Sequence, residues 1–306
     1  MFKKYFRYLK FKNKFCIDIN RTPSNTILVS GTGRSGTTWL GDVVAYATRS
    51  KTIFEPFLLD DNFDFGFVVK KNLQFEDMKK NCSLYLSPTT DKSIRYHKQL
   101  EQIITGRVRS SWTDKQKRNG IFLKRVIKGI RSNLLLGYIG RCWPNLPILL
   151  IIRDPVAVVD SMFKKAAEGW VFGFSSEEVF SQYDLVHEHL APYKEEISRA
   201  REPVELLTHR WAIENLVPLN QIKQIPNIIV IRYDKLLNGN AEWNRVAEFL
   251  APWGWREDRY IKIVDKPTFT VDNDFGKDAQ YIFKSCEIEK IKNIVKFYGL
   301  EKYICS

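Results

Sequence analysis

The chain has 306 residues, enough for one large α/β domain or two small ones. Hydrophobic residues make up 44% of it, which supplies a sizeable core and excludes a globally disordered chain. With 48 lysines and arginines against 35 acids the formal charge is +13, so an anionic partner is expected: a nucleotide, a sulfated or acidic glycan, nucleic acid or a membrane surface.

Five cysteines (Cys16, Cys82, Cys142, Cys286 and Cys305) are scattered, none at C-x-x-C spacing, and the four histidines are equally dispersed. Free thiols in a reducing compartment are expected, and a structural zinc or other metal site is not. No apolar run has the length of a membrane span and the N-terminus lacks the apolar core of a signal peptide, so a cytoplasmic protein is expected.

In chain order, residues 1–25 read as a basic arm and 26–306 as one domain. Within Met1 to Lys14, Phe2, Tyr5, Phe6 and Leu9 fall at helical spacing among Lys3, Lys4, Arg7 and Lys10. The pattern suits a peripheral helix on an anionic membrane, and equally a helix packed on the domain or a solvated arm. Thr26 to Ser30 is an apolar run of strand formers. Gly31-Thr32-Gly33-Arg34-Ser35-Gly36 follows as a glycine-rich turn, then a helix from Ser35 to Ala47. Ser50 to Pro56 predicts a second strand that delivers Glu55 at its C-terminal end, the end at which open α/β sheets place ligands. Residues 60–120 interrupt the alternation, with aromatics in Asn62 to Phe75 and a helix from Asp91 to about Ile104; an insertion of this kind is an acceptor site or a lid, and equally structural padding.

Gly120 to Val126 predicts the third strand and Ser132 to Arg141 a helix. Pro147 to Ile152 is continuously apolar, as a strand buried on both faces must be. It runs into Arg153-Asp154-Pro155, where a helix starts that carries Ser161. Ser175 to Ala200 is expected as one long helix capped by Ser176, and Val204 to Lys223 as another. Asn227 to Ile231 is a further strand ending at Arg232-Tyr233-Asp234. Helices are expected over Trp243 to Leu250 and Ser285 to Tyr298. Strands alternating with helices predict a single-domain α/β fold with a central parallel β-sheet flanked by helices, P-loop NTPase-like.

The chemistry starts in the glycine turn. Strand, glycine loop and helix N-terminus together make an anion cradle, because backbone N–H groups converge there beside the positive end of the helix dipole. Gly31 and Gly36 have the spacing of a nucleotide P-loop, but Gly36 is followed by Thr37 rather than lysine, and the one cation lies inside the loop, at Arg34. A kinase with a degenerate loop is one reading. A basic protein that binds nucleic acid or a membrane surface is another.

Arg34-Ser35-Gly36-Thr37-Thr38-Trp39 resembles the 5′-phosphosulfate loop of sulfotransferases that use 3′-phosphoadenosine-5′-phosphosulfate (PAPS). Arg153-Asp154-Pro155 with Ser161 is similar to the 3′-phosphate site of that family, and Arg232-Tyr233-Asp234-Lys235-Leu236 to its Tyr-Glu-Asp-Leu segment. The resemblance implies PAPS as sulfuryl donor, no required metal, and Gly33, Arg34, Ser35, Gly36, Thr37, Thr38, Trp39, Arg153, Ser161, Tyr233 and Lys277 around the nucleotide. Trp39 matches the position of an adenine-stacking aromatic and is equally a core residue. Tyr233 serves the nucleotide or the core.

The cytosolic small-molecule members place a His two residues after a Lys on the third strand. Here Lys124 is followed by Val126 at that place. Carbohydrate and tyrosyl-protein members use a Glu after the second strand, the place of Glu55. The resemblance therefore implies Glu55 as general base and Arg34 and Lys124 as cations on the transferred group. The acceptor it implies is a hydroxyl of a glycan or glycolipid rather than nucleic acid.

Overall fold

In a computed structural model the described residues are 16–57, 84–89, 94–108, 112–114, 120–170, 174–260 and 281–305. The expected arm helix before residue 15, the aromatics of Asn62 to Phe75 and Lys277 lie outside them.

The apolar β-branched runs form strands β1 (Cys16–Asp18), β2 (Thr26–Ser30), β3 (Lys51–Phe54), β4 (Gly120–Phe122), β5 (Arg125–Gly129), β6 (Ile148–Ile152) and β7 (Ile228–Arg232). Five of them make one all-parallel sheet in the order β3-β5-β2-β6-β7. Parallel strands need helical crossovers, and these cover both faces. The period of two then divides each strand between two cores. Ile27, Val29, Leu149 and Ile151 face helices α1 (Thr37–Ala47) and, later in the chain, Asn240–Leu250. Leu28, Ile148, Leu150 and Ile152 face the opposite layer, which includes α2 (Ile94–Ile104), α3 (Leu136–Cys142), α4 (Pro155–Ala167) and α5 (Pro203–Gln221). Helix α6 (Tyr233–Asn238) leaves β7 directly, α7 is Asn240–Leu250, and α8 (Ser285–Phe297) packs against α4 and α5.

The expected strand from Gly120 to Val126 is two strands. β4 pairs in parallel with β1 in a separate ladder, and β5 joins the central sheet five residues after the expected start and ends three residues after the expected end. Arg125 is the reason. Its buried guanidinium donates to Thr22 O at 3.0 Å and Thr26 Oγ1 at 2.7 Å, and also to Asn20 O, so the chain must turn at Leu123-Lys124. The same contacts tie residues 20–26 to the end of the sheet, so this part of the expected arm is packed on the fold.

The expected helix over Ser175–Ala200 is broken. Ser175, not Ser176, is the cap, accepting from Glu178 N at 3.3 Å. A π-helical turn occupies Val186–Leu190, and Pro192, which has no N–H to donate, lies in the 3-10 turn that follows before Lys194–Arg199 resumes as helix. Among the described residues no helix is long and apolar enough to cross a membrane.

Candidate functional site

β2 is the central strand, and the connections after β2 and β6 leave the sheet in different directions. The crevice of such an open sheet opens between these two strand ends, at their C-terminal edge. The sequence places the Gly31–Gly36 turn at one and Arg153 at the other. Gly36 caps α1 in the left-handed conformation, φ 88°. A Cβ there would stand 2.6 Å from the ring of Tyr233, so the turn and α6 require glycine at their contact.

Arg34 is itself left-handed, φ 71°. Its Nε donates to Ser161 Oγ on α4 at 2.9 Å. The Arg34 carbonyl accepts from Arg153 Nη1 at 3.1 Å, and the Arg153 guanidinium lies over the Tyr233 ring, 4.7 Å from its centroid. The loop, the end of β6, α4 and α6 therefore meet at two arginines. Among the described residues neither guanidinium is in a salt bridge. Burial, and then the neighbouring charge of Arg153, pull the Arg34 pKa down, while Glu168 pushes it back up. Burial raises the Tyr233 phenol and Arg153 opposes it. Two cations held together outside any salt bridge among the described residues make a site whose electrostatics improve when an anion enters.

Supporting contacts fix this edge. Trp211 Nε1 on α5 donates to Arg153 O at 3.2 Å, and Asn215 Nδ2 donates to Thr32 Oγ1 at 3.1 Å. Asp154 caps α4 by accepting from Ala157 N at 2.9 Å and takes Cys305 N at 2.7 Å on its other oxygen. Within the loop, Ser35 Oγ is buried and has no hydrogen-bond partner among the described residues. A buried unpaired hydroxyl beside two arginines fits a ligand that brings anionic oxygens. Trp39 is buried, edge-on to Tyr233 at 5.9 Å and to Trp243 at 5.4 Å, within the core beneath the loop.

Glu55 follows β3 with φ 45° and is buried. Among the described residues the non-glycine residues with positive φ are Arg34, Arg49 and Glu55. Strained backbone of this kind persists where surrounding structure holds it in place. Glu55 is held by the end of β5: its N–H donates to Lys128 O at 2.8 Å, Oε1 pairs with Lys128 Nζ, and Oε2 accepts from Ile130 N at 3.1 Å. Arg131 lies 4.0 Å from Oε2. Strand register places Glu55 two strands from the glycine loop, about 10 Å away.

Lys124 is not brought to this edge. It precedes β5, at the N-terminal end of the sheet, where its Nζ donates to Trp253 O at 2.7 Å. Burial, and then Arg259, lower its pKa. The lysine at the C-terminal end of β5 is Lys128, also 4.5 Å from the Phe54 ring centroid. Starting the strand at Gly120 and ending it at Val126 puts its end three residues early, and so selects Lys124. The signal for Lys128 is a lysine just before Gly129 in an otherwise apolar run. Thr37 is buried and Thr38 partly buried in the first turn of α1, and Gly33 sits in the loop.

A groove of about 590 Å³ lies elsewhere, among the Lys194–Arg199 turn, α5 and α8. On its walls Lys290 pairs with Glu205 and with the neighbouring Glu202, and Arg199 with Glu196 and the neighbouring Glu195.

No protein-family model matches the sequence. No curated protein matches it either. Solved structures similar to it include the sulfotransferase domain from the curacin biosynthetic pathway, at 13% identity over 76% of this chain and 75% of that one, TM-score 0.39. A sulfotransferase from Alicyclobacillus acidocaldarius is 14% identical over 92% and 95%, TM-score 0.41. A sulfotransferase from Mycobacterium avium is 10% identical over 90% and 76%, TM-score 0.46. At such identities and TM-scores the functional reading has to be built on the site residues themselves.

Proposed function

We propose that this chain is a sulfotransferase that moves the sulfuryl group of PAPS to a hydroxyl of a carbohydrate acceptor. The observation that carries the reading is the pairing of Arg34 with Ser161, with Arg153 on the Arg34 carbonyl, at the glycine loop. A Walker-type kinase needs a lysine at the end of this loop, and Thr37 stands there instead.

When bound, PAPS supplies an activated sulfuryl group on a phosphate leaving group. The loop amides, Ser35 Oγ and Arg34 would hold the phosphosulfate end, and Arg153 and Ser161 the 3′-phosphate. Lys128, rather than Lys124, is the lysine on this edge suited to neutralise charge developing on the leaving oxygen. Glu55 takes the acceptor proton in this reading. Because both its oxygens are engaged with Lys128 and Ile130, it acts only if the acceptor hydroxyl displaces one of those contacts. A glycan acceptor is supported by Glu55 after the second strand, where carbohydrate members carry their base, and by the lack of a histidine two residues after Lys124 or Lys128.

Thermal shift tests the donor. 3′-Phosphoadenosine-5′-phosphate should stabilise the protein far more than ATP with magnesium, and equal shifts, or none, would count against sulfuryl transfer. Radiolabelled sulfate transfer from PAPS to a panel of glycans, glycolipids and small alcohols then identifies the acceptor class.

A further inference from the structure

The two halves of the nucleotide site come from different strand ends. The glycine loop leaves β2 and Arg153 leaves β6, and these strands lie side by side. The direct ties across the gap are Arg153 Nη1 on the Arg34 carbonyl and Arg34 Nε on Ser161 Oγ. Both come from guanidiniums whose N–H groups an entering anion competes for. A spacing that survives ligand binding needs a tie that the ligand does not touch.

One turn of α5 supplies it. Trp211 and Asn215, four residues apart and on one side of the helix, are both fully buried. Trp211 Nε1 donates to Arg153 O at 3.2 Å, a backbone group at the end of β6. Asn215 Nδ2 donates to Thr32 Oγ1 at 3.1 Å and to Trp211 O at 2.7 Å, which uses both its hydrogens and joins the two contacts into one unit. Thr32 is buried in the loop, and its carbonyl accepts from Ser35 N at 3.1 Å, closing the turn that carries Arg34 in its left-handed conformation. The helix is itself pinned to the end of β2, where Asn133 Nδ2 donates to Glu214 O at 3.1 Å and Asn133 Oδ1 accepts from Ser30 Oγ. Asn215 Oδ1 is buried with no hydrogen-bond partner among the described residues. A leucine of similar size would avoid that cost, so the position uses the donors of the carboxamide rather than its bulk.

We propose that Trp211 and Asn215 are positioning residues that gauge the distance between the glycine loop and Arg153, and so select a nucleotide with anionic groups at both its 5′ and 3′ positions. The identity of that nucleotide follows from the sulfotransferase reading, on which this role rests. When two anions belong to one ligand, the second binds at an effective concentration set by how well the two sites match its span. A shift of the loop relative to Arg153 lowers that match and leaves each separate site able to hold a single phosphate.

Titration calorimetry with three probes tests this: 3′-phosphoadenosine-5′-phosphate, adenosine 5′-monophosphate and adenosine 3′-monophosphate. The parent chain should bind the bisphosphate far more tightly than either monophosphate. Trp211→Phe and Asn215→Leu should each weaken the bisphosphate about tenfold while changing each monophosphate by less than about twofold. The double variant should lose little more than either single one, because both residues belong to one tie. Thr32→Val breaks the same bond from the loop side and replaces Asn215→Leu if that variant fails to fold. Unaltered bisphosphate affinity in the variants, or a parallel loss for all three probes, overturns the proposal and leaves the sulfotransferase reading standing. A parent chain with no preference for the bisphosphate overturns both.

Discussion

Arg34 and Ser161 lie 127 residues apart and meet in a 2.9 Å hydrogen bond between the glycine loop and the second turn of α4. The bond joins the two strand ends that border the crevice of the sheet. It also orients a guanidinium that burial and Arg153 destabilise in the absence of an anion.

Arg34→Ala and Arg153→Ala should each weaken 3′-phosphoadenosine-5′-phosphate by about 10- to 100-fold, the loss of a hydrogen bond to a charged group worth about 1.5–3 kcal/mol. Ser161→Ala, which removes a neutral partner, should weaken it by less. Titration calorimetry gives the affinities. An Arg153→Ala affinity equal to that of the parent chain removes Arg153 from the site.

Lys124→Ala should leave that affinity and the turnover unchanged, because its ammonium is bound to Trp253 O at the far end of β5. Lys128→Ala should lower turnover. If the two variants behave in the opposite way, the assignment of the site to the C-terminal edge is wrong.

Gly36→Ala should destabilise the fold by about 2 kcal/mol or more. The added Cβ meets a left-handed backbone and the Tyr233 ring at 2.6 Å. Urea midpoints measure the loss. Displacement of Tyr233 from Arg153 should weaken nucleotide binding in the same variant.

Glu55→Gln separates two roles. As a base, Glu55 is needed for turnover, and the glutamine variant should be inactive even where it is folded. As a partner of buried Lys128, its loss leaves an uncompensated charge and should cost about 3–5 kcal/mol. Adding Lys128→Met should then restore stability without restoring turnover. A folded Glu55→Gln protein with parental turnover across pH places the base elsewhere.

His209 supplies a pH dependence. It is buried on α5 with Nδ1 2.8 Å from Tyr298 OH, and burial lowers its pKa to about 4, with Glu205 opposing. Between its ordinary value of 6.5 and about 4, the unfolded chain takes up a proton that the folded chain refuses. Stability therefore falls as pH drops through this window, by about 3 kcal/mol in all, and is flat below it as far as this group is concerned. His209→Gln should flatten the slope of urea stability against pH between these limits.

Much of the fold was legible because its signals are local. The apolar runs Thr26–Ser30 and Ile148–Ile152, and the proline at the start of α4, dictate their structures without reference to distant residues. The Gly31–Gly36 turn was legible in the same way, as a glycine loop after a strand, whereas Arg153 and Ser161 stood out only through the resemblance to the sulfotransferase 3′-phosphate motif. The break between β4 and β5 was not, because it is set by Arg125 gripping two carbonyls and a hydroxyl 99 to 105 residues away. That one contact moved the strand end and exchanged Lys124 for Lys128.

The sequence by itself determined an alternating α/β chain, a glycine loop with an arginine in place of the Walker lysine, and a basic charge suited to an anion. Those properties follow from periodicity, turn chemistry and composition, which are written residue by residue. Only the tertiary structure decided which residues share the C-terminal edge, that Arg34 reaches Ser161 rather than solvent, and that Glu55 is locked to Lys128. Strand register and burial settle these, and both depend on pairings between segments far apart in the chain.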